Sequence, residues 1–379
     1  MTDHYQKSLE MHKKLQGKLR TEAIAHIETR DDLSWAYSPG VAEPCREIAK
    51  DPEKMYDYTL KSRTVAVISD GSAILGIGNL GHRASMPVME GKCVLFKEFG
   101  DVDAFPIIVG TQDTEEFIKT VKNIADTFGG INLEDISAPR CFEIEERLKA
   151  ELDIPVMHDD QHGTAIVTLA GLINALKITG KKKEDIKVVL NGAGAAGVAI
   201  CKLLHLYGVQ HFIACDTKGI IHKDRENLDI SKQKLLEFTN LENKTGTLSD
   251  AIVGADVFLG VSAAGALTED MVRTMAKDAI IFAMANPIPE IMPELAKAAG
   301  ARIIGTGRSD YPNQVNNVLA FPGIFKGVLR YRKRQITDAM KIRAAEALAS
   351  YVENPSDDNI LPNPLDKGVA EVVALAMKD

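Results

Sequence analysis

Residues 187–216 leave this chain few folds to choose from. The stretch KVVLNGAGAAGVAICKLLHLYGVQHFIACD opens on an apolar run, Val188-Val189-Leu190, turns through Gly192, Gly194 and Gly197, and closes on a second run that ends at Asp216. Between the runs, Gly197, Ile200, Cys201 and Leu204 share one helical face. A strand, a glycine turn, a helix and a second strand make a parallel βαβ unit, which lives in a sheet covered by helices. G-x-G-x-x-G at the turn, with an acid about 20 residues on, is the fingerprint of a dinucleotide site. Gly192 permits the tight turn, Gly194 lets the backbone approach a pyrophosphate, and Gly197 lets helix and strand close up; Ala193, Ala195 and Ala196 keep the remaining positions small. The unpaired N–H groups of the helix start then face the phosphates. Asp216 suits the ribose diol of NAD and repels a 2′-phosphate, although Lys218 would offset that repulsion; NAD is expected, with NADP possible.

The same spelling occurs at Gly76, Gly78 and Gly81. There Pro87 follows too soon for a long docking helix, and a further strand is expected at Cys93–Phe96. The segment therefore reads as a loop near the substrate and not as a second nucleotide site.

The rest of the chain fits an α/β protein. Helices around a Pro39-Gly40 break precede β runs at 64–69, 105–109, 131–137 and 154–160, with helical segments between them. Fully apolar strands then recur at 257–260, 280–284 and 302–304, and the tail is helical, with Ile336, Met340, Ala344, Leu348 and Val352 four apart. The expected organisation is an N-terminal α/β substrate and metal unit over 1–160 and a C-terminal Rossmann-type NAD-binding unit with helical tail over 161–379. With 379 residues and a net charge of −8, the chain has the size for two units and no basic run for nucleic acid. Lys181-Lys182-Lys183 reads as a solvated loop. No apolar run opens the chain or is long enough for a bilayer, and the five cysteines show no C-x-x-C pair. A cytoplasmic protein with reduced thiols, acting on a small molecule and without membrane or nucleic-acid partners, is expected.

Acidic doublets end two strands, Glu134-Asp135 after Ile131-Asn132-Leu133 and Asp159-Asp160 after Ile154–Met157. Open α/β sheets place ligands at such strand ends. Bringing four carboxylates together needs a cation or protonation, and oxygen-only donors select Mg²⁺ or Mn²⁺. His158 and His162 flank the second doublet and read as outer groups or helix caps.

The segments AYSPGVAEPC, DGSAILGIGNLG, PVMEGKCVLFK, INLEDISAPRCFEIE, PVMHDDQHGTA, VLNGAGAAG, ANPIPE and GTGRSDYPNQVNNVLAFPGIF, in this order, resemble malic enzymes of the short bacterial type. The resemblance implies oxidative decarboxylation of malate with a nicotinamide dinucleotide and a divalent metal, by a homodimer. It implies that Tyr37, Lys92 and Asp159 are catalytic, that Glu134, Asp135 and Asp160 hold the metal, and that Asn286, Asn316 and Asn317 contact nicotinamide and substrate. Lys92 would act neutral, as a base. Where larger relatives carry an arginine this chain has Ala73, so backbone N–H groups around Gly76–Gly81 are candidates to hold the substrate carboxylate. A metal-dependent oxaloacetate decarboxylase without a redox step uses the same residues and stays open, as does a nucleotide-binding sensor with a dead site.

Overall fold

The computed structural model describes residues 2–378. An arm of short helices comes first: α1 (Thr2–Leu15), α2 (Arg30–Ala36), α3 (Ala42–Lys50) and α4 (Met55–Tyr58). Neither α2 nor α3 buries a residue. A first sheet follows through β1 (Thr64–Ser69), α5 (His82–Leu95), β2 (Asp103–Ile108), α6 (Thr114–Ile124), β3 (Gly130–Leu133), α7 (Arg140–Glu151) and β4 (Val156–His158). Its strands are all parallel in the order β2-β1-β3-β4. The order reverses between β1 and β3, which is where such a sheet opens a crevice at its carboxyl ends.

One helix, α8 (Asp159–Thr179), leads out of this sheet and ends at Gly180 in the left-handed conformation. The second sheet runs through β5 (Lys187–Asn191), α9 (Ala195–Tyr207), β6 (His211–Asp216), β7 (Gly219–Ile220), α10 (Ile230–Leu235), α11 (Leu248–Ile252), β8 (Val257–Gly260), α12 (Glu269–Arg273), β9 (Ile280–Ala283), α13 (Pro293–Ala298) and β10 (Ile303–Thr306). Its order is β10-β9-β8-β5-β6-β7, parallel except for the β6–β7 hairpin. The tail forms α14 (Phe321–Arg330), α15 (Asp338–Tyr351) and α16 (Val369–Leu375).

The strands of both sheets are apolar on both faces because helices cover both, as parallel sheets require. The largest core cluster joins the two sheets through α8: Val65 and Val67 belong to it, as do Val188, Leu190 and Phe282. The tail helix α14 reaches back to the first sheet, with Phe321 edge-on to Phe96 at 4.7 Å between ring centres.

One expected strand is absent. Cys93 lies in α5, and Phe96 begins the turn that extends it. Met89, Cys93 and Phe96 are buried along one face of that helix, a spacing of three and four that a short apolar run hides. Pro87 sits inside α5 without ending it. It stands in the second turn, where the helix loses one backbone bond near its own start.

Candidate active site

The dinucleotide turn has the shape its glycines imply. Gly192 adopts φ +111°, and a Cβ there would stand 2.5 Å from the Val261 carbonyl oxygen. That contact lies between β5 and β8, where the order of the second sheet reverses. A Cβ at Gly197 would collide with the Gly192 carbonyl, so this glycine sets the approach of helix to turn. Gly194 caps α9 without a side-chain bond, and a Cβ there would meet no protein atom within 4 Å. Its backbone, with the N–H groups of Ala195, Ala196 and Gly197 and buried Ala193 beside it, presents the anion-binding end of a helix of 13 residues.

Asp216 differs from expectation. Its two oxygens accept from Arg225 at 3.0 and 2.9 Å, Lys232 stands at 3.2 Å, and the Lys218 amide donates at 2.9 Å. Burial raises its pKa, but Arg225 and the other donors outweigh burial and hold the carboxyl below its usual range. A carboxylate already neutralised by two cations repels a 2′-phosphate weakly, so the acid by itself does not select between NAD and NADP.

The acidic doublets converge on one lysine. Lys92 is buried on α5, with Nζ 2.7 Å from Asp159 Oδ2 and 2.8 Å from Glu134 Oε1, over the Phe321 ring at 4.4 Å. Burial would lower its pKa, but Asp159 and Glu134 reverse that and hold the ammonium charged, so the neutral base expected requires a metal's charge to offset those carboxylates. Asp160 Oδ2 accepts from the Asp135 amide at 2.8 Å, joining the two strand ends. Asp135 itself adopts φ +55° and ties down the glycine loop, its Oδ1 accepting from the Leu75 amide at 3.1 Å and its carbonyl from Ala73 at 3.0 Å. The loop at Gly76–Gly81 therefore borders the acidic cluster, and, contrary to the expectation from Pro87, a helix follows Gly81 at once. The two fingerprints differ because Gly76 and Gly78 lie in an exposed excursion closed by an Ile74–Gly78 bridge, well past the end of β1.

Four acids thus share one cation. Burial pushes all four pKa values up, Asp135 to about 8 and Asp159 to about 7, and Asp160 adds to the rise of both Glu134 and Asp135. Among the described residues no three such side chains are closed up into a ligand set as they stand, since Lys92 holds Glu134 and Asp159. The donor chemistry nonetheless fits a hard divalent ion. Every donor is a carboxylate oxygen, Asp135 Oδ2 and Asp159 Oδ1 are buried without a partner, and a dication would offset the burial and the added repulsion that raise these pKa values.

The asparagines divide. Asn286 precedes a cis proline after β9, its side chain lies against Gly307 and its carbonyl faces Gly76, so it stands between the two sheets' carboxyl ends. Asn317 packs beside Gly163 and Asp159 at the start of α8. Asn316 is different, for its side chain caps the turn that follows by accepting from Val318 N at 3.0 Å. Tyr37, at the end of α2, is 70 % exposed and makes none of the contacts that hold Lys92.

Two groups beside the cluster escaped sequence reasoning. Glu145 on α7 is buried, and it bonds His162 Nε2 at 2.9 Å and the His158 amide at 3.0 Å. Burial opposes its charge, but His162 and Lys149 hold its carboxyl well below the usual range, while burial pushes the His162 imidazole down to about 4. The available signal was a charge in the apolar stripe Cys141, Ile144, Leu148. Asp70, at the end of β1, bonds Arg140 at 2.8 Å and Ser72, whose hydroxyl accepts from the Ser137 amide, joining the loops after β1 and β3.

A dinucleotide turn at the mouth of one parallel sheet, facing a buried lysine and a carboxylate set at the mouth of another, defines a metal-using dehydrogenase of small anionic substrates. The comparisons narrow this. Residues 16–149 match the model of the malic enzyme N-terminal domain and residues 161–377 that of the malic enzyme NAD-binding domain. The chain is 59 % identical to the bifunctional malic/malolactic enzyme of Bacillus subtilis, over 98 % of this chain and 92 % of that protein. It is 58 % identical to the NAD-dependent malic enzyme of Geobacillus stearothermophilus, over 95 % of this chain and 76 % of that one. The crystal structure of the NAD-dependent malic enzyme of Thermotoga maritima superimposes with a TM-score of 0.95 at 49 % identity, covering 98 % of each chain. The chain belongs to the malic enzyme family.

Proposed function

We propose that this chain oxidises (S)-malate to pyruvate and CO₂ while reducing NAD, with NADP a weaker alternative, using Mg²⁺ or Mn²⁺. The observation that carries the reading is Lys92, buried and fixed by Asp159 and Glu134 at the carboxyl ends of the first sheet. The relatives' names support the substrate and the dinucleotide.

Glu134, Asp135 and Asp160 would hold the metal, and the Gly192–Gly197 turn with Asn286 would hold the dinucleotide. When bound, the cation polarises the C2 oxygen and the nicotinamide accepts the electrons of C2 oxidation. With their charge taken up by the metal, the carboxylates would no longer hold Lys92 protonated; neutral, it takes the proton of the C2 hydroxyl, and Asp159 keeps its Nζ in place and shares that proton. Asn317, packed against the start of α8, and Asn316 orient the substrate, and amides of the Gly76–Gly81 loop bind its carboxylate. Oxidation leaves a β-keto acid, whose C2 carbonyl takes up the electron pair as the C3–carboxylate bond breaks. Tyr37 then gives a proton to C3, and pyruvate leaves. The proton removed from oxygen equals the one restored to carbon, so Lys92 and Tyr37 close a single cycle.

Tyr37 sits on an arm whose apolar side chains are uncovered: Leu9, Ile24 and Trp35 are all more than two-thirds exposed. Such a surface on one segment marks a protein contact, and we propose that the arm packs on a second copy. We also place the protein in the cytoplasm; its five cysteines are free, and among the described residues no helix is long and apolar enough to cross a membrane.

The test is malate with NAD or NADP and Mn²⁺, followed by dinucleotide absorbance. Rapid NAD reduction that Lys92→Ala lowers by about 10²–10⁴-fold is expected. Oxaloacetate decarboxylation without any malate oxidation would establish the non-redox alternative instead. Light scattering reads the dimer, and activity recovered by mixing Tyr37→Phe with Lys92→Ala chains places Tyr37 in its partner's site.

A further inference from the structure

The turn from β4 into α8 carries both Asp159 and Asp160. His158 occupies the cap position of α8 without a side-chain cap bond. The fixing group comes from a neighbouring helix. Glu145 on α7 is buried, 5 % exposed, and reaches both flanks of the turn. Its Oε1 accepts the His158 amide at 3.0 Å, on the strand side, and also stands 2.6 Å from Lys149 Nζ. Its Oε2 lies 2.9 Å from His162 Nε2, on the first turn of the helix. A carboxylate only accepts, so His162 is the donor through Nε2–H. The two bonds straddle residues 159 and 160.

The clamped turn has little slack. A Cβ at Gly163 would collide with Asp159 Oδ1, so the Asp159 side chain folds directly over the first turn of α8. Asp160 Oδ2 is at the same time committed to the Asp135 amide at 2.8 Å. A small rotation of the turn therefore moves one carboxylate off Lys92 and the other off the end of β3.

We infer that Glu145 is a positioning residue: through the His158 amide and His162 it holds Asp159 and Asp160 in ion-binding register. The inference rests on the reading of Glu134, Asp135 and Asp160 as metal ligands. Outer partners of this kind set the orientation of the groups that touch the ion, and losing one weakens ion binding even when every ligand remains.

The test is Mn²⁺ affinity of the whole chain without malate, read from the paramagnetic signal of the free ion, beside NADH affinity from its fluorescence. Glu145→Gln keeps the volume and removes the charge, and His162→Leu removes the donor; each is expected to weaken Mn²⁺ by about 10–100-fold and leave NADH affinity unchanged. His162→Gln restores an N–H donor and should stay within about threefold of the parent. Were Glu145→Gln not to fold, the two His162 variants decide alone. The inference is overturned if Glu145→Gln and His162→Leu both bind Mn²⁺ like the parent, or if His162→Gln and His162→Leu lose it equally, since packing and not the bond would then matter. Asp160→Asn separates the two levels. Parent-like binding there sinks the metal reading itself, whereas lost binding there with intact Glu145→Gln and His162→Leu sinks only the clamp.

Discussion

Gly76–Gly81 and Gly192–Gly197 are spelled alike and built differently. In the second, two of the three glycines are pressed against backbone: Gly192 against Val261 and Gly197 against Gly192. In the first, a Cβ at Gly78 or Gly81 would meet nothing within 4 Å, and one at Gly76 only the Asn286 carbonyl at 3.8 Å. All three of those have positive φ. One segment uses glycine for close approach, the other for backbone direction. The lesson is that a motif is identified by what surrounds its missing side chains.

That contrast can be broken in four ways. Gly197→Val should have the largest effect, destabilising by about 3 kcal/mol because the helix cannot retreat from its turn; a thermal unfolding curve unchanged from the parent would refute the close-approach argument. Mn²⁺ at about a hundred times its dissociation constant should stabilise the chain by ~2.7 kcal/mol, with the increment absent in Asp135→Asn, whose carboxylate anchors the first loop. Gly194→Ala is expected to unfold like the parent and yet bind NADH roughly tenfold more weakly, since its Cβ obstructs a ligand and no protein atom. Smallest is Gly78→Ala. Its φ of +104° makes a loss of about 1 kcal/mol of stability the expected outcome, with NADH affinity intact. Weakened NADH binding in that variant would mean that the first loop also touches the dinucleotide.

Most of the architecture was legible because it is written in local periodicity. The strands at 64–69, 187–191 and 257–260 are apolar runs with turns at each end, and the helices α9 and α15 carry apolar residues every three to four positions. The stretch Cys93–Phe96 misled because four apolar residues do not contain a helical period, and because Pro87 looked like a stop. The carboxylates were legible as doublets at strand ends. Their bond to Lys92 was not, since 67 residues separate Lys92 from Asp159 and only the fold brings them together. Asp216 shows the converse. Its position at the end of β6 was read correctly, but its partners Arg225 and Lys232 lie in the loop and helix beyond, where no periodic signal announces them. The exposed arm could be read as helical but not as uncovered, because burial depends on neighbours that a sequence does not place.

The helix α8 starts with Asp159 and Asp160, packs along α9 and ends where the second sheet begins. Over 21 residues it is a rod of about 31 Å. An α-helix turns by about 100° per residue, so one residue added or removed within it would swing both aspartates away from Glu134 and Lys92 while leaving the dinucleotide unit whole. The rod is therefore under a phase constraint as well as a length constraint. Insertions in the surface loops shift only themselves; within this helix, only changes close to whole turns keep the two halves of the chemistry facing each other.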